Sequence, residues 1–109
     1  MTLENPEDQK LVVLAKATRA RTGAAQGAAL RDLDGRTYAG ATVDLPSLQI
    51  SALDVCIAMA VASGAKGAEA AVVLGDGDAA LEALRDFAGP GVPVHFGAAN
   101  GSITDSVTT

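Results

Sequence analysis

The stretch Gln49–Gly64, QISALDVCIAMAVASG, reads as a helix that is apolar on nearly every side. A surface helix carries an apolar stripe, whereas one that is apolar all round belongs in an interior. The chain is 109 residues long. A chain of that length builds one core, burying roughly 60–70% of its unfolded surface. Residues 1–109 are therefore expected to form one domain around this central helix. The rest of the core must be made of small side chains, because the sequence holds 23 alanines, 3% aromatic residues and no tryptophan. Helices can then lie close to a sheet. A ligand that stacks on rings finds only Tyr38, Phe87 and Phe96.

Charge narrows the partners. Eight basic and thirteen acidic residues leave a net charge of -5, which repels phosphate backbones and anionic lipid and argues against nucleic-acid and membrane-surface roles. No apolar run approaches the roughly 20 residues of a membrane span. The opening MTLENPEDQK lacks the basic-then-apolar order of a signal peptide. A cytoplasmic location is expected. Cys56 is the single cysteine, so an internal disulfide and a zinc site of several thiolates within one chain are both excluded.

Local signals give the order of elements. Asn5-Pro6-Glu7-Asp8 starts a helix with a capping side chain, a proline at the first position and two acids at the positive end of the dipole. The helix is expected to reach Thr22, with Leu11, Leu14, Ala15 and Thr18 inward, and to stop at Gly23. Asp34-Gly35 between two strand-like runs signals a hairpin. Leu45-Pro46-Ser47 reads as a loop ending in an N-cap for the central helix. AEAAVVLG reads as a strand covered on both faces. DAALEALRDFAG reads as a helix capped by Asp78, and VPVHFG as the last strand. Residues 98–109 are polar and small, and a flexible tail is expected there. Helix, hairpin, helix, strand, helix, strand implies an α/β fold, a three-layer α/β/α sandwich with a mixed β-sheet.

Candidate chemistry is sparse. Gly75-x-Gly77-x-x-Ala80 follows a strand and opens a helix in the manner of a dinucleotide fingerprint. Asp76 and Asp78, however, put negative charge where phosphates would sit, and no acid lies about 20 residues on to hold a ribose. A tight strand-to-helix turn is the simpler reading. Ser51, Asp54 and the lone His95 are the residue types of a nucleophile with its base. Ser51 nonetheless lacks the glycine-flanked strained turn of a hydrolase nucleophile, and nothing in the sequence brings His95 near it. Asp32-x-Asp34-Gly35 lacks the later ligands of a calcium loop. Cys56, among Val55, Ile57 and Met59, reads as a small buried hydrophobe.

Several strings, taken in order, point to one family. Gly27-Ala28-Ala29-Leu30, Asp34-Gly35-Arg36 and Tyr38-x-Gly40 resemble the first hairpin of the small, homotetrameric type of cytidine deaminase. Thr42-Val43-Asp44 lies where that family has its ribose-binding Asn-x-Glu, and FAGPGVPVHFG is similar to the strand after its third helix. The resemblance runs from about Pro6 to Gly97. It implies a zinc ligand and a proton-shuttling glutamate at the start of the central helix, and two further thiolate ligands opening the next one. Here Ser51-Ala52-Leu53 falls on the first motif and Gly77 and Ala80 fall on the two cysteines. The base-contacting phenylalanine aligns with Ala24 and the valine after it with Gln26. The loop from Asp44 into the helix is shorter than in the family.

That loss bears directly on chemistry. A metal must bring water from a pKa of 15.7 to about 7 before it attacks the ring, and a serine alone does not hold zinc. The expectation is a non-catalytic cytidine-deaminase-like protein, with no catalytic residue, metal or cofactor, acting as an oligomeric scaffold or binding module. In the family the central helices pack across subunit interfaces, so a homo-oligomer, dimer or tetramer, is expected. Two alternatives stand beside it. One is a zinc-dependent nucleoside deaminase with atypical ligands, for which Cys56, His95, Asp44 and Asp54 are the material. The other is nucleoside or small-ligand binding without turnover, with Thr42 and Asp44 hydrogen-bonding a sugar hydroxyl.

Overall fold

The computed structural model describes residues 2–109. Helix α1 spans Pro6–Thr22. Its N-cap is Asn5, whose side-chain oxygen accepts the Glu7 N–H at 2.9 Å. It ends at Gly23, which adopts a left-handed φ of 66° and donates its N–H to the Arg19 carbonyl at 2.8 Å. Strands β1 (Gln26–Asp32) and β2 (Thr37–Ala41) form the expected hairpin. The carboxylate of Asp32 organises its turn by accepting the N–H groups of Asp34 (2.9 Å) and Arg36 (3.0 Å) and the Tyr38 hydroxyl (2.9 Å).

A short separate hairpin, β3 (Val43–Leu45) with β4 (Leu48–Ile50), leads into α2 (Ala52–Ala62). Strand β5 (Ala68–Gly75), helix α3 (Glu82–Ala88), β6 (Pro93–Gly97) and β7 (Ile103–Thr108) complete the chain. The main sheet has the order β2-β1-β5-β6-β7. Only β5 and β6 are parallel, joined through α3; the other neighbours are antiparallel. The sheet is mixed and covered on both faces, giving the three-layer sandwich. Residues alternate along β1: Ala28 and Leu30 pack with Leu53, Cys56, Ala60 and Leu84 under α2 and α3. Ala29 packs with Leu11 and Ala15 under α1.

Small residues set the layer spacing, as the alanine content implied. A Cβ on Gly27 would strike the Ala15 carbonyl oxygen and lie 2.7 Å from the Arg19 Cβ. One on Gly40 would lie 2.8 Å from the Val55 Cγ1. Both helices therefore rest almost directly on strand backbone.

Several expectations are corrected. Residues 98–109 are not a loose tail: β7 pairs with β6, its Ile103 is buried under α1, and the Thr109 hydroxyl donates to the Gly89 carbonyl at 2.8 Å. β-branched residues in that stretch were outweighed in the sequence by its polarity, which suits a strand exposed on one face. The N-cap of α2 is Ser51, not Ser47, because residues 43–50 close their own hairpin first. Asp78 does not cap α3, which starts at Glu82 with no side-chain cap. The intervening turn is held open by Gly75 and Gly77 at φ of 119° and 91°. Finally, α2 is not enclosed all round: Ala58, Val61 and Ala62 face outward. Among the described residues no helix is long and apolar enough to cross a membrane.

Candidate functional site

The starts of α2 and of the segment before α3 are where the sequence placed a lost site. Ser51 has the extended φ and ψ of an N-cap, and its hydroxyl oxygen accepts the Asp54 N–H at 3.2 Å. Leu53, two residues on, is 0% exposed and lies in the core cluster with Leu84 and Phe87. Gly77 and Ala80 are exposed and bring no donor atom beyond their backbone. Zinc takes thiolate, imidazole or carboxylate ligands in a tetrahedral set. One hydroxyl that already caps a helix, with a leucine, a glycine and an alanine beside it, does not supply them. The positions therefore do not fit the metal, and among the described residues no group of three or more His, Cys, Asp or Glu side chains converges on one point.

The atypical ligand set is dispersed. Cys56 is buried in the α2 layer, where burial pushes its thiol up to about 12, well outside the range of a ready thiolate. His95 belongs to the opposite layer, where its Nε2 meets Asp8 of α1 at 3.1 Å. Asp44 is exposed on β3. Thr42 has its hydroxyl committed: the oxygen accepts the Gln26 N–H at 3.1 Å and its proton faces the Gln26 carbonyl at 3.3 Å.

The structure assembles a different polar group that sequence reasoning missed. The Ser106 hydroxyl lies 2.7 Å from His95 Nδ1, and His95 Nε2 lies 3.1 Å from Asp8 Oδ2. Asp8 Oδ1 then lies 2.9 Å from Arg31 Nη1, and Arg31 Nε lies 3.6 Å from Glu69. Asp8, Arg31 and His95 are buried. Serine, histidine and aspartate in contact are the residue types of acyl transfer, but that chemistry also needs donors for an oxyanion. The Ser106 N–H is already given to the Asp105 carboxylate at 2.9 Å. The group instead ties α1 to four strands, β1, β5, β6 and β7. Asp8 stands three residues before Leu11, in phase with Ala15 and Thr18 on the inner face of α1. That phase was the available signal.

A cavity of about 310 Å³ opens at the carboxyl ends of the parallel strands β5 and β6. Its wall includes Gln26, Val73, Asp78, Phe96, Thr104 and Asp105, and Gly77 borders it; Thr42, Asp44, Ser51, Leu53 and Ala80 do not. Gln26, which the resemblance aligns with the valine after the base-contacting phenylalanine, lies on this wall. Its Nε2 donates to the Gly77 carbonyl at 3.0 Å, pinning the turn that precedes α3.

Comparison with known proteins agrees with this architecture. The crystal structure of cytidine deaminase from Burkholderia pseudomallei is similar at a TM-score of 0.72 and 26% identity, over 92% of this chain and 89% of that one. The cytidine deaminase from Mycobacterium leprae superimposes at a TM-score of 0.73 and 20% identity, over 95% and 94% of the two chains, a likeness of fold alone. A comparison with curated protein sequences gives no match. The family model described as cytidine deaminase-like matches residues 4–101, and the chain belongs to that family.

Proposed function

We propose that this chain is a non-catalytic cytidine deaminase-like protein that serves as an oligomeric scaffold or binding module in the cytoplasm. One observation carries the reading: Leu53, at the position that aligns with the proton-shuttling glutamate, is 0% exposed and packed among core side chains. A leucine carries no proton, and a position filled by packing leaves no room for a water or a substrate base. Ser51, Gly77 and Ala80 support the same reading, since their donor chemistry does not suit zinc. The Burkholderia and Mycobacterium proteins are cytidine deaminases, which is the support for an active enzyme.

Purified protein separates the two. The expected result is no stoichiometric zinc by elemental analysis and no ammonia released from cytidine in zinc-supplemented buffer. Stoichiometric zinc or sustained ammonia release overturns the proposal. The oligomeric part rests on the outward face of α2, where Val61 is 55% exposed, and on the exposed Leu45 and Leu48 of the β3–β4 hairpin. Light scattering tests it directly: a monomer at micromolar concentration overturns it.

A further inference from the structure

We propose that Ser106 is a nucleophilic acyl acceptor, a modification site on the edge strand β7 that takes a short acyl group from a neutral activated ester. Ser106, His95 and Asp8 stand in contact as nucleophile, base and orienting group. His95 and Ser106 are cross-strand partners on the face of the sheet that α1 covers, and neither lines the cavity at the strand ends. The inference is therefore independent of what the deaminase-like positions do.

The partners fix the tautomer of the base. Asp8 Oδ1 faces Arg31 Nη1 at 2.9 Å, and a carboxylate paired with a guanidinium only accepts hydrogen bonds. His95 Nε2, 3.1 Å from Asp8 Oδ2, therefore carries the hydrogen, which leaves a lone pair on Nδ1. Nδ1 lies 2.7 Å from the Ser106 oxygen, so the hydroxyl donates to it. A serine whose proton already points at a bare imidazole nitrogen is primed for attack. Asp8, Arg31 and His95 are buried and held from α1, β1 and β6, whereas Ser106 is exposed to a reagent.

In the step itself the Ser106 Oγ attacks the acyl carbon and its proton passes to His95 Nδ1. The bond from the acyl carbon to the leaving oxygen then breaks, and the proton departs with that oxygen. The products are an O-acyl serine and a phenol or alcohol, with no change of oxidation state. No oxyanion donor assists, because the Ser106 N–H is given to the Asp105 carboxylate at 2.9 Å. Only esters with a good leaving group are therefore expected to react, and the acyl group stays on the serine rather than turning over. The same Asp105 charge repels anionic donors and selects neutral ones.

The test is acetylation of the full chain by p-nitrophenyl acetate at mildly alkaline pH, with peptide mapping by mass spectrometry. Ser106 is expected to gain an acetyl group at least about 100 times faster than Ser47 and Ser102, which are also exposed, and to lose that lead in urea. Ser106→Ala is expected to abolish the fast release of p-nitrophenolate, and His95→Gln to slow labelling at least about 100-fold. Asp8 is a positioning residue, and its readout is the tautomer. Nitrogen-15 NMR is expected to show His95 protonated at Nε2 alone in the native chain and at either nitrogen in Asp8→Leu, Arg31→Met, with labelling at least about tenfold slower. Ser106 reacting no faster than Ser47 and Ser102 overturns the proposal, as does an unchanged rate in His95→Gln or a native His95 with a proton on Nδ1 at that pH. If His95→Gln does not fold, the serine comparison and the tautomer, both read on the unaltered chain, decide.

Discussion

Restoring the family's acidic side chain at the start of α2, Leu53→Glu, separates a site filled by packing from one still open to solvent. Leu53 is fully buried. Removing a buried leucine costs about 2–5 kcal/mol, and an unpaired buried polar group adds about 1–3 kcal/mol. Leu53→Gln, with a neutral amide of similar size, is thus expected to lose about 3–8 kcal/mol, while Leu53→Met loses less than about 1.5 kcal/mol. Leu53→Glu should match Leu53→Gln only while its carboxyl is protonated. Burial raises a carboxyl pKa by up to about 3–5 units from about 4.3. Between the unfolded and folded values the native state then binds the extra proton. Stability falls as pH rises across that window, by about 1.4 kcal/mol per pH unit, and is greatest below the unfolded value. Urea unfolding of the three variants from pH 5 to pH 7.5 reads this directly. A Leu53→Glu protein as stable as Leu53→Met, with a flat pH profile, would refute the packed-site reasoning, because the carboxylate would then be standing in water.

Other perturbations test other parts of the fold. Burial acts to raise the Asp32 carboxyl, but hydrogen bonds from Tyr38, Arg36 and Asp34 outweigh it and hold it below the usual carboxylate value. Its stabilisation is thus present above pH 3.8 and lost as acid carries the pH through the lower folded value. Asp32→Asn should flatten the acid limb of the urea midpoint between about pH 2 and 5 and lower stability by about 1–3 kcal/mol at neutral pH. Gly27→Ala, whose new methyl meets α1 backbone, should cost about 1–3 kcal/mol or more in thermal unfolding; Gly35→Ala, in open space at φ 83°, serves as the comparison for backbone strain alone. Asp8→Leu leaves the buried Arg31 with only the longer, half-exposed contact to Glu69 and should cost about 3–5 kcal/mol, most of it regained in the Asp8→Leu, Arg31→Met double variant. A double variant no better than the single one would remove the ion pair from the account. Val61→Lys on the outward face of α2 should lower the mass seen by light scattering without lowering the monomer's stability by more than about 0.5 kcal/mol.

What could be read in advance follows from how local the cause was. The cap and stop of α1 and the Asp34-Gly35 turn are set by residues within a few positions of each other, and all three appear where the sequence puts them. Strand β5 was legible because eight residues free of glycine until the last suit a strand with both faces covered. Strand β7 was not: its partner β6 supplies the reason for Ile103–Thr108 to be extended, and that pairing is invisible in a polar string. With β7 in place, the strand that carries His95 is not the last one but an interior one, and His95 faces Asp8 across 87 residues of chain. The positions aligned with the family's site came from resemblance, whereas the role of Gln26 depends on a turn shaped by two glycines of positive φ ahead of α3. No periodicity encodes that contact.

Gln26 links the packed site to the cavity at the strand ends. In a metal-holding arrangement the helix after β5 must begin early enough to present two ligands from its first turn. Here the chain from Asp76 to Leu81 is not helical, and α3 starts only at Glu82. The carbonyls of Gly77 and Asp78, which an earlier helix start would turn into its own ladder, are met instead by the Gln26 amide. The same late start leaves space beside Val73 and Phe96, where the cavity lies. The late start of α3 and the cavity are thus two sides of one backbone arrangement. A Gln26→Leu protein, deprived of the hydrogen bond but matched in size, is expected to loosen residues 76–81 in amide hydrogen exchange while leaving α2 protected. Equal protection of that turn in both proteins would break the link between the two regions.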